Sequence, residues 1–197
     1  MYYNKGYKSM ERRQQIMNKR TLWITRTAVL TAMLVVLQAT TQATGNTVIT
    51  GSVVNMLLII SVMACGILSG ITVAVISPVM AKLIGIGPLW SLIPFIMAGN
   101  ITLVLVWHHL GNWKWGHKYA ANIVALIGAA FAKFAVLYAG IVLIAVPLLL
   151  RLPQPQASVI TGMFSISQFI TALLGGAAAL LILPTVKIAL AGRSAQR

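Results

Sequence analysis

Acidic residues are almost missing from this chain. Glu11 is the only Asp or Glu among 197 residues, against 15 Lys and Arg. That scarcity excludes paired-carboxylate catalysis, carboxylate metal sites and a Ser-His-Asp triad, each of which needs an acid placed beside its partners. It also removes the mid-membrane carboxylates on which proton- and sodium-coupled carriers rely. Cysteine is equally sparse. Cys65 stands alone, so neither an internal disulfide framework nor a cysteine-cluster metal site is available. No Gly-rich loop of the Walker type is present, so the chain is not expected to hydrolyse ATP on its own. On these grounds it is not read as an enzyme, and no cofactor is expected.

What is abundant is apolar surface. The composition is 59% hydrophobic and 8% charged, and the mean hydropathy is +0.90. A soluble domain of this length has no interior large enough for that surface, so lipid is the expected solvent. The expected class is an all-α integral membrane protein. A net charge of +14 would suit a nucleic-acid binder, but no soluble basic domain is present to use it, and no nucleic acid is expected. The basic residues flank apolar segments, where they orient the protein and meet anionic membrane lipid.

Six spans are expected. They cover residues 21–37, two crossings within the 29-residue apolar run 53–81, then 91–107, 121–146 and 160–183. Gly66 and Gly70 in "CGILSG" mark the corner inside the long run. Pro147 and Pro184 are expected to end the last two spans. Polar stretches between them read as loops: "QATTQATGNT" at 38–47, the basic aromatic "HHLGNWKWGHKY" at 108–119, and "RLPQPQAS" from Arg151.

With six crossings, both termini lie in the cytoplasm. Twelve basic residues then fall inside, against Lys82 and Arg151 outside, as the positive-inside rule requires. Residues 1–20 are expected as a basic cytoplasmic tail, 21–190 as the transmembrane domain and 191–197 as a second tail. His108, His109 and His117 are conceivable metal ligands, but histidines beside Trp113 and Trp115 suit a membrane interface better, and no metal is expected.

One residue resists this description. Lys133 falls in the middle of the fifth span, in "FAKFAVLYAG", where an ionised lysine costs roughly 2.5–3.5 kcal/mol on insertion scales. Snorkelling from there would carry its stem across half the hydrocarbon core. Asn122, Ala129 and Ala130 share its helix face, with Phe131 and Phe134 on other sides, so the lysine should look inward. With no carboxylate at that depth, a ligand is expected to supply the missing acceptor or charge. Asn100 in "FIMAGN" (behind Pro94, which should loosen the helix), Asn55 at the start of the second span, and Gln168 in the sixth are the expected companions, with Ser165 and Ser167 nearby. Ala28 and Ala32, four apart in "TAVLTAML", allow close approach of another helix, from this protein or a partner.

Taken in order, the short spans, the Ala28/Ala32 pair, the polar first outer loop and "GIGPLWSLIPFIMAGN" before a lysine-bearing fifth span resemble the substrate-binding S component of an energy-coupling factor transporter. The resemblance covers roughly residues 21–190. It implies high-affinity capture of a vitamin or similar micronutrient on the outer face of a bacterial plasma membrane. It also implies a separate transmembrane scaffold protein and two ATPase subunits as partners, with toppling of the S component in the membrane as the transport step. Ala28 and Ala32 would meet the scaffold, and Asn100 and Lys133 match ligand contacts of a riboflavin-binding branch. A self-sufficient secondary transporter and a non-transporting accessory subunit are the alternative readings. Pantothenate or another carboxylate, a flavin and a cobalamin all remain open as the vitamin.

Overall fold

A computed structural model describes the backbone of residues 3–113 and 118–192, with side chains for 19–113 and 120–188. Within these residues the chain is helical and contains no strand. Helix α1 is Tyr3–Gln42, α2 is Thr47–Cys65 and α3 is Ile67–Leu83. A single 3-10 turn, Trp90–Leu92, leads into α4, Ile93–Gly111. Helix α5 is Lys118–Leu137 and runs on as a wide π-helical segment, Tyr138–Leu150. Two helices close the chain, α6 (Gln154–Phe164) and α7 (Ile166–Gly192).

Five helical stretches are long and apolar enough to cross a membrane: Lys19–Gln42, Thr47–Cys65, Trp90–Gly111, Ala120–Leu150 and Gln154–Ile188. Helix α3 is a shorter apolar helix of 17 residues, about 25 Å long against a hydrocarbon core of about 30 Å. Large apolar side chains such as Ile24, Val29, Leu143, Leu148 and Leu181 lie exposed on the bundle's outer surface. A surface of that kind suits lipid, not water. The chain therefore has the form of a multi-pass membrane protein.

The long apolar run divides at Gly66, as its glycines suggested. Gly66 has φ 91° and ψ 172°, a conformation essentially reserved for glycine. Gly70 serves the corner differently. A Cβ there would press on Val104 and Val62 at under 3 Å, so α3 can lie against its neighbours only because the side chain is missing.

Residues 3–20 continue without a break into the first apolar segment as one helix. Several expected loop boundaries are corrected. Most of the polar stretch 38–47 is helix: the hydroxyls of Thr40 and Thr41 donate to the Leu37 carbonyl, so these polar side chains are satisfied within the helix. The true turn is only Ala43–Asn46. There Asn46 Oδ1 accepts from Val48 N (3.0 Å) and Ile49 N (3.3 Å), starting α2 six residues before the apolar run.

Proline also behaves differently from the expectation. Pro94 occupies the first turn of α4, where its missing N–H breaks no bond, so it begins that helix and does not loosen it. Pro147 and Pro184 lie inside helical segments and do not end them. The π-helical segment stops at Arg151, which is left-handed (φ 44°), while the Leu152 N–H caps the Val146 carbonyl. Of the proline-rich loop only Arg151–Pro153 stays irregular, because Pro153 and Pro155 sit where a helix start tolerates them.

Two apolar cores result. The main one surrounds Leu57, Leu58, Val73, Leu103 and Trp107, and joins α1 to α5 and α7. A smaller one, around Leu92, Leu137, Ile141, Ile160 and Phe164, joins the start of α4 to the π-helical segment and α6. The candidate site lies where these cores meet.

Candidate functional site

Small residues decide which polar side chains can meet. Helix α7 lies so close to α2 that a Cβ on Gly175 would strike the Ser52 carbonyl oxygen and come within 2.7 Å of Asn55 Cβ. On the other side, a Cβ on Gly99 would stand 2.6 Å from Leu137 Cγ, so the Leu137 side chain of α5 packs directly on the α4 backbone. These approaches bring Asn55 (α2), Asn100 (α4), Lys133 (α5) and Thr171 (α7) to one point.

The resulting network is directional. Lys133 Nζ donates to Asn55 Oδ1 at 2.6 Å and to Asn100 Oδ1 at 2.8 Å. The Asn55 amide nitrogen donates onward to Thr171 Oγ1 at 3.3 Å, and the Thr171 hydroxyl donates to the Gln168 carbonyl at 3.2 Å. Each donor thus points away from the lysine, which holds the Asn55 oxygen toward it. All four side chains are buried, Lys133 being 4% exposed. The expectation of an inward lysine face holds: Ala129, Ala130 and Leu137 are buried with it, and Phe131 is exposed.

The expectation that only a ligand provides an acceptor for Lys133 is corrected. Two asparagine oxygens already provide one each. What they do not provide is negative charge, since an amide oxygen is neutral and the chain's one acid, Glu11, is far outside this region of the sequence. A protonated lysine has three N–H donors, so one remains beyond those two bonds.

A cavity of about 140 Å³ opens beside the network. Lys133, Asn100, Asn55 and Gln168, the four residues singled out from the sequence, all line it. Gln168 contributes less freely than the others, because its amide nitrogen donates to the Met163 carbonyl at the end of α6 (2.9 Å). Ser167 also lines the cavity, but its hydroxyl donates to the Gly162 carbonyl, as does that of Ser165. These bonds satisfy the carbonyls left open at the α6–α7 break.

Sequence reasoning missed most of the lining, including the polar Thr171, Ser77 and Gln38. Thr171 follows Gln168 by three residues, one helical turn, which was a usable signal. Ser77, beside Pro78 in α3, carried none, for a lone serine in a span is usually an internal hydrogen-bonder. In this fold Ser77 Oγ and Gln38 Oε1 are buried without a hydrogen-bond partner.

The Ala28/Ala32 pair is not used inside the molecule. Both residues are exposed and line an open apolar groove with Trp23, Val36, Ile76 and Met80, between α1 and α3. His108 and His109 lie in the last turn of α4. The His109 ring bonds the Leu105 carbonyl, and Asn112 bonds His108. His117, Lys114 and Trp115 fall outside the described residues. Among the described residues no group of three or more His, Cys, Asp or Glu could hold a metal ion.

Comparisons with protein-family models, curated proteins and solved structures find no match to this chain.

Proposed function

We propose that the chain is a substrate-binding S component of an energy-coupling factor transporter, capturing a water-soluble vitamin or related micronutrient in a bacterial plasma membrane. The observation that carries this reading is the polar cavity itself. An apolar bundle has put a lysine, two asparagines, a threonine and two unpartnered polar atoms around about 140 Å³ of space. Buried polar groups in lipid are costly and are retained where they bind something.

The location favours capture. The cavity lining includes Gln42 and Thr47 beside the α1–α2 turn and Gly87 and Pro88 from the α3–α4 loop. With both termini cytoplasmic, as the distribution of basic residues favours, those loops face outward. A site near the outer end, in a chain with no ATP-binding loop, needs a partner for energy. The exposed Ala28/Ala32 groove offers a surface for the scaffold protein, which would bring two ATPases with it.

Mass spectrometry of whatever co-purifies with the wild-type chain and with Lys133→Ala tests the reading. A micronutrient present in the first and lost from a folded second is the expected result. Solute uptake by the purified chain alone in liposomes would instead make it a self-sufficient transporter.

A further inference from the structure

The charge and the size of the cavity together narrow what it takes, if the capture reading above is accepted as the starting point. The lysine's two acceptors are neutral amides, at 2.6 and 2.8 Å. No side chain lining the cavity carries a negative charge. Hydrogen bonding at Lys133 is largely satisfied by the protein while its charge is not. A neutral ligand leaves that imbalance in place, and an anionic group beside Nζ removes it through a charge-assisted bond.

Volume sets the second limit. An engineered cavity of about 150 Å³ in another protein accommodates benzene, and this one, at about 140 Å³, is of the same size. A single ring fills that volume, and a fused multi-ring ligand would have to extend beyond it through the cavity's open side. The walls supply the third limit. Ile96, Leu137 and Phe164 give an apolar side, whereas Ser77 Oγ and Gln38 Oε1 offer unpartnered polar atoms away from the lysine on the chain. Ser77 is itself 1% exposed, so a ligand or water in this cavity is its available partner.

We infer that the cavity binds a compact monocarboxylate of single-ring size, its carboxylate on Lys133 between Asn55 and Asn100 and its apolar body against Ile96, Leu137 and Phe164. Ser77 and Gln38 then read any polar substituent on the ring. The two asparagines are positioning residues: they hold Nζ at the cavity wall and add no charge to compete with the ligand.

Equilibrium binding of radiolabelled probes to the full chain in lipid nanodiscs tests this. The probes are benzoate, its neutral isostere benzamide, and 2-naphthoate, which keeps the carboxylate and adds a ring. Benzoate is expected to bind saturably and about tenfold or more tighter than benzamide, the difference a charged hydrogen bond makes. Naphthoate is expected to bind more weakly than benzoate. Lys133→Gln should bring benzoate and benzamide to equal affinity. Asn100→Asp supplies an internal carboxylate to the lysine, and should abolish the preference in a protein that remains folded.

Equal affinity for benzoate and benzamide in the wild type overturns the inference without depending on any variant. So does naphthoate binding as tightly as benzoate. If no probe binds but a larger or neutral molecule co-purifies in a Lys133-dependent way, the monocarboxylate is wrong and capture stands. If no probe binds and nothing co-purifies, both readings fail.

Discussion

Lys133 Nζ lies 2.6 Å from Asn55 Oδ1, on a helix 78 residues away in sequence, with both side chains buried. Asn55 has its other amide atom committed to Thr171, so its oxygen has no alternative orientation that preserves both bonds. The amide therefore acts as a fixed acceptor aimed at the lysine.

Removing that acceptor should be costly. Asn55→Leu leaves an ammonium with one amide partner in a buried site, and Thr171 without its donor. A loss of about 1–3 kcal/mol is expected, read as a lowered melting temperature of the purified protein in detergent. In a double-mutant cycle, adding Lys133→Met should recover part of the loss, because no unsatisfied charge then remains. Additive losses would show that the two residues do not depend on each other.

Glycine positions separate close packing from open space. Gly175→Ala sets a methyl against the Ser52 carbonyl and Asn55, a backbone contact that cannot move aside, and should destabilise by about 1–3 kcal/mol. Gly162 lies inside α6 with nothing within 4 Å of a Cβ. Gly162→Ala should stabilise by about 0.5–1 kcal/mol. Thermal melts of the two variants, side by side, should move in opposite directions.

Gly66 makes a different demand. A Cβ there meets nothing within 4 Å, yet its backbone, at φ 91° and ψ 172°, is one that other residues avoid. Gly66→Ala should cost about 1–3 kcal/mol through backbone strain alone. A melting temperature equal to that of the wild type would mean that the α2–α3 corner relaxes to another conformation.

For the alanine pair, stability and association should part company. Ala28 and Ala32 are exposed, so Ala28→Leu or Ala32→Leu should change stability by no more than about 0.5 kcal/mol. Under the proposed function, co-purification with a scaffold protein and ATPases should nevertheless be lost, since the added bulk fills the groove. Retained co-purification would place the docking surface elsewhere.

Capping offers a local check on α2. Asn46 satisfies two backbone N–H groups at the helix start, and Asn46→Ala should cost about 1 kcal/mol, while Asn46→Asp should keep most of the stability. Ligand binding should be little altered by the Asp variant, since Asn46 does not line the cavity.

Much of the architecture was legible along the chain. Hydropathy marks the apolar helical segments, because a backbone in lipid must satisfy its own hydrogen bonds and the helix does so locally. It does not mark the polar stretches 3–20 and 38–42, which are helix as well. Gly66 announces the α2–α3 corner for a similarly local reason. The inward face of α5 also follows from residues one to three turns apart, and so does the oddity of Lys133. Helix ends were read less well. Threonines that bond their own backbone look like loop residues in composition, and proline that begins a helix looks like proline that ends one.

The chain by itself determined that this protein is an apolar, acid-poor helical bundle with one lysine too deep to reach water. It also singled out Asn55, Asn100 and Gln168, since polar side chains in apolar spans are few. Only the tertiary structure decided that the first two hold the lysine and that Ser77 and Gln38, lining the same cavity, stand unpartnered. The reason is geometric: a periodicity reveals which face of a helix a residue occupies, but not which other helix that face meets. That choice rests on close approaches at Gly99 and Gly175, where the absence of a side chain acts between elements far apart in sequence.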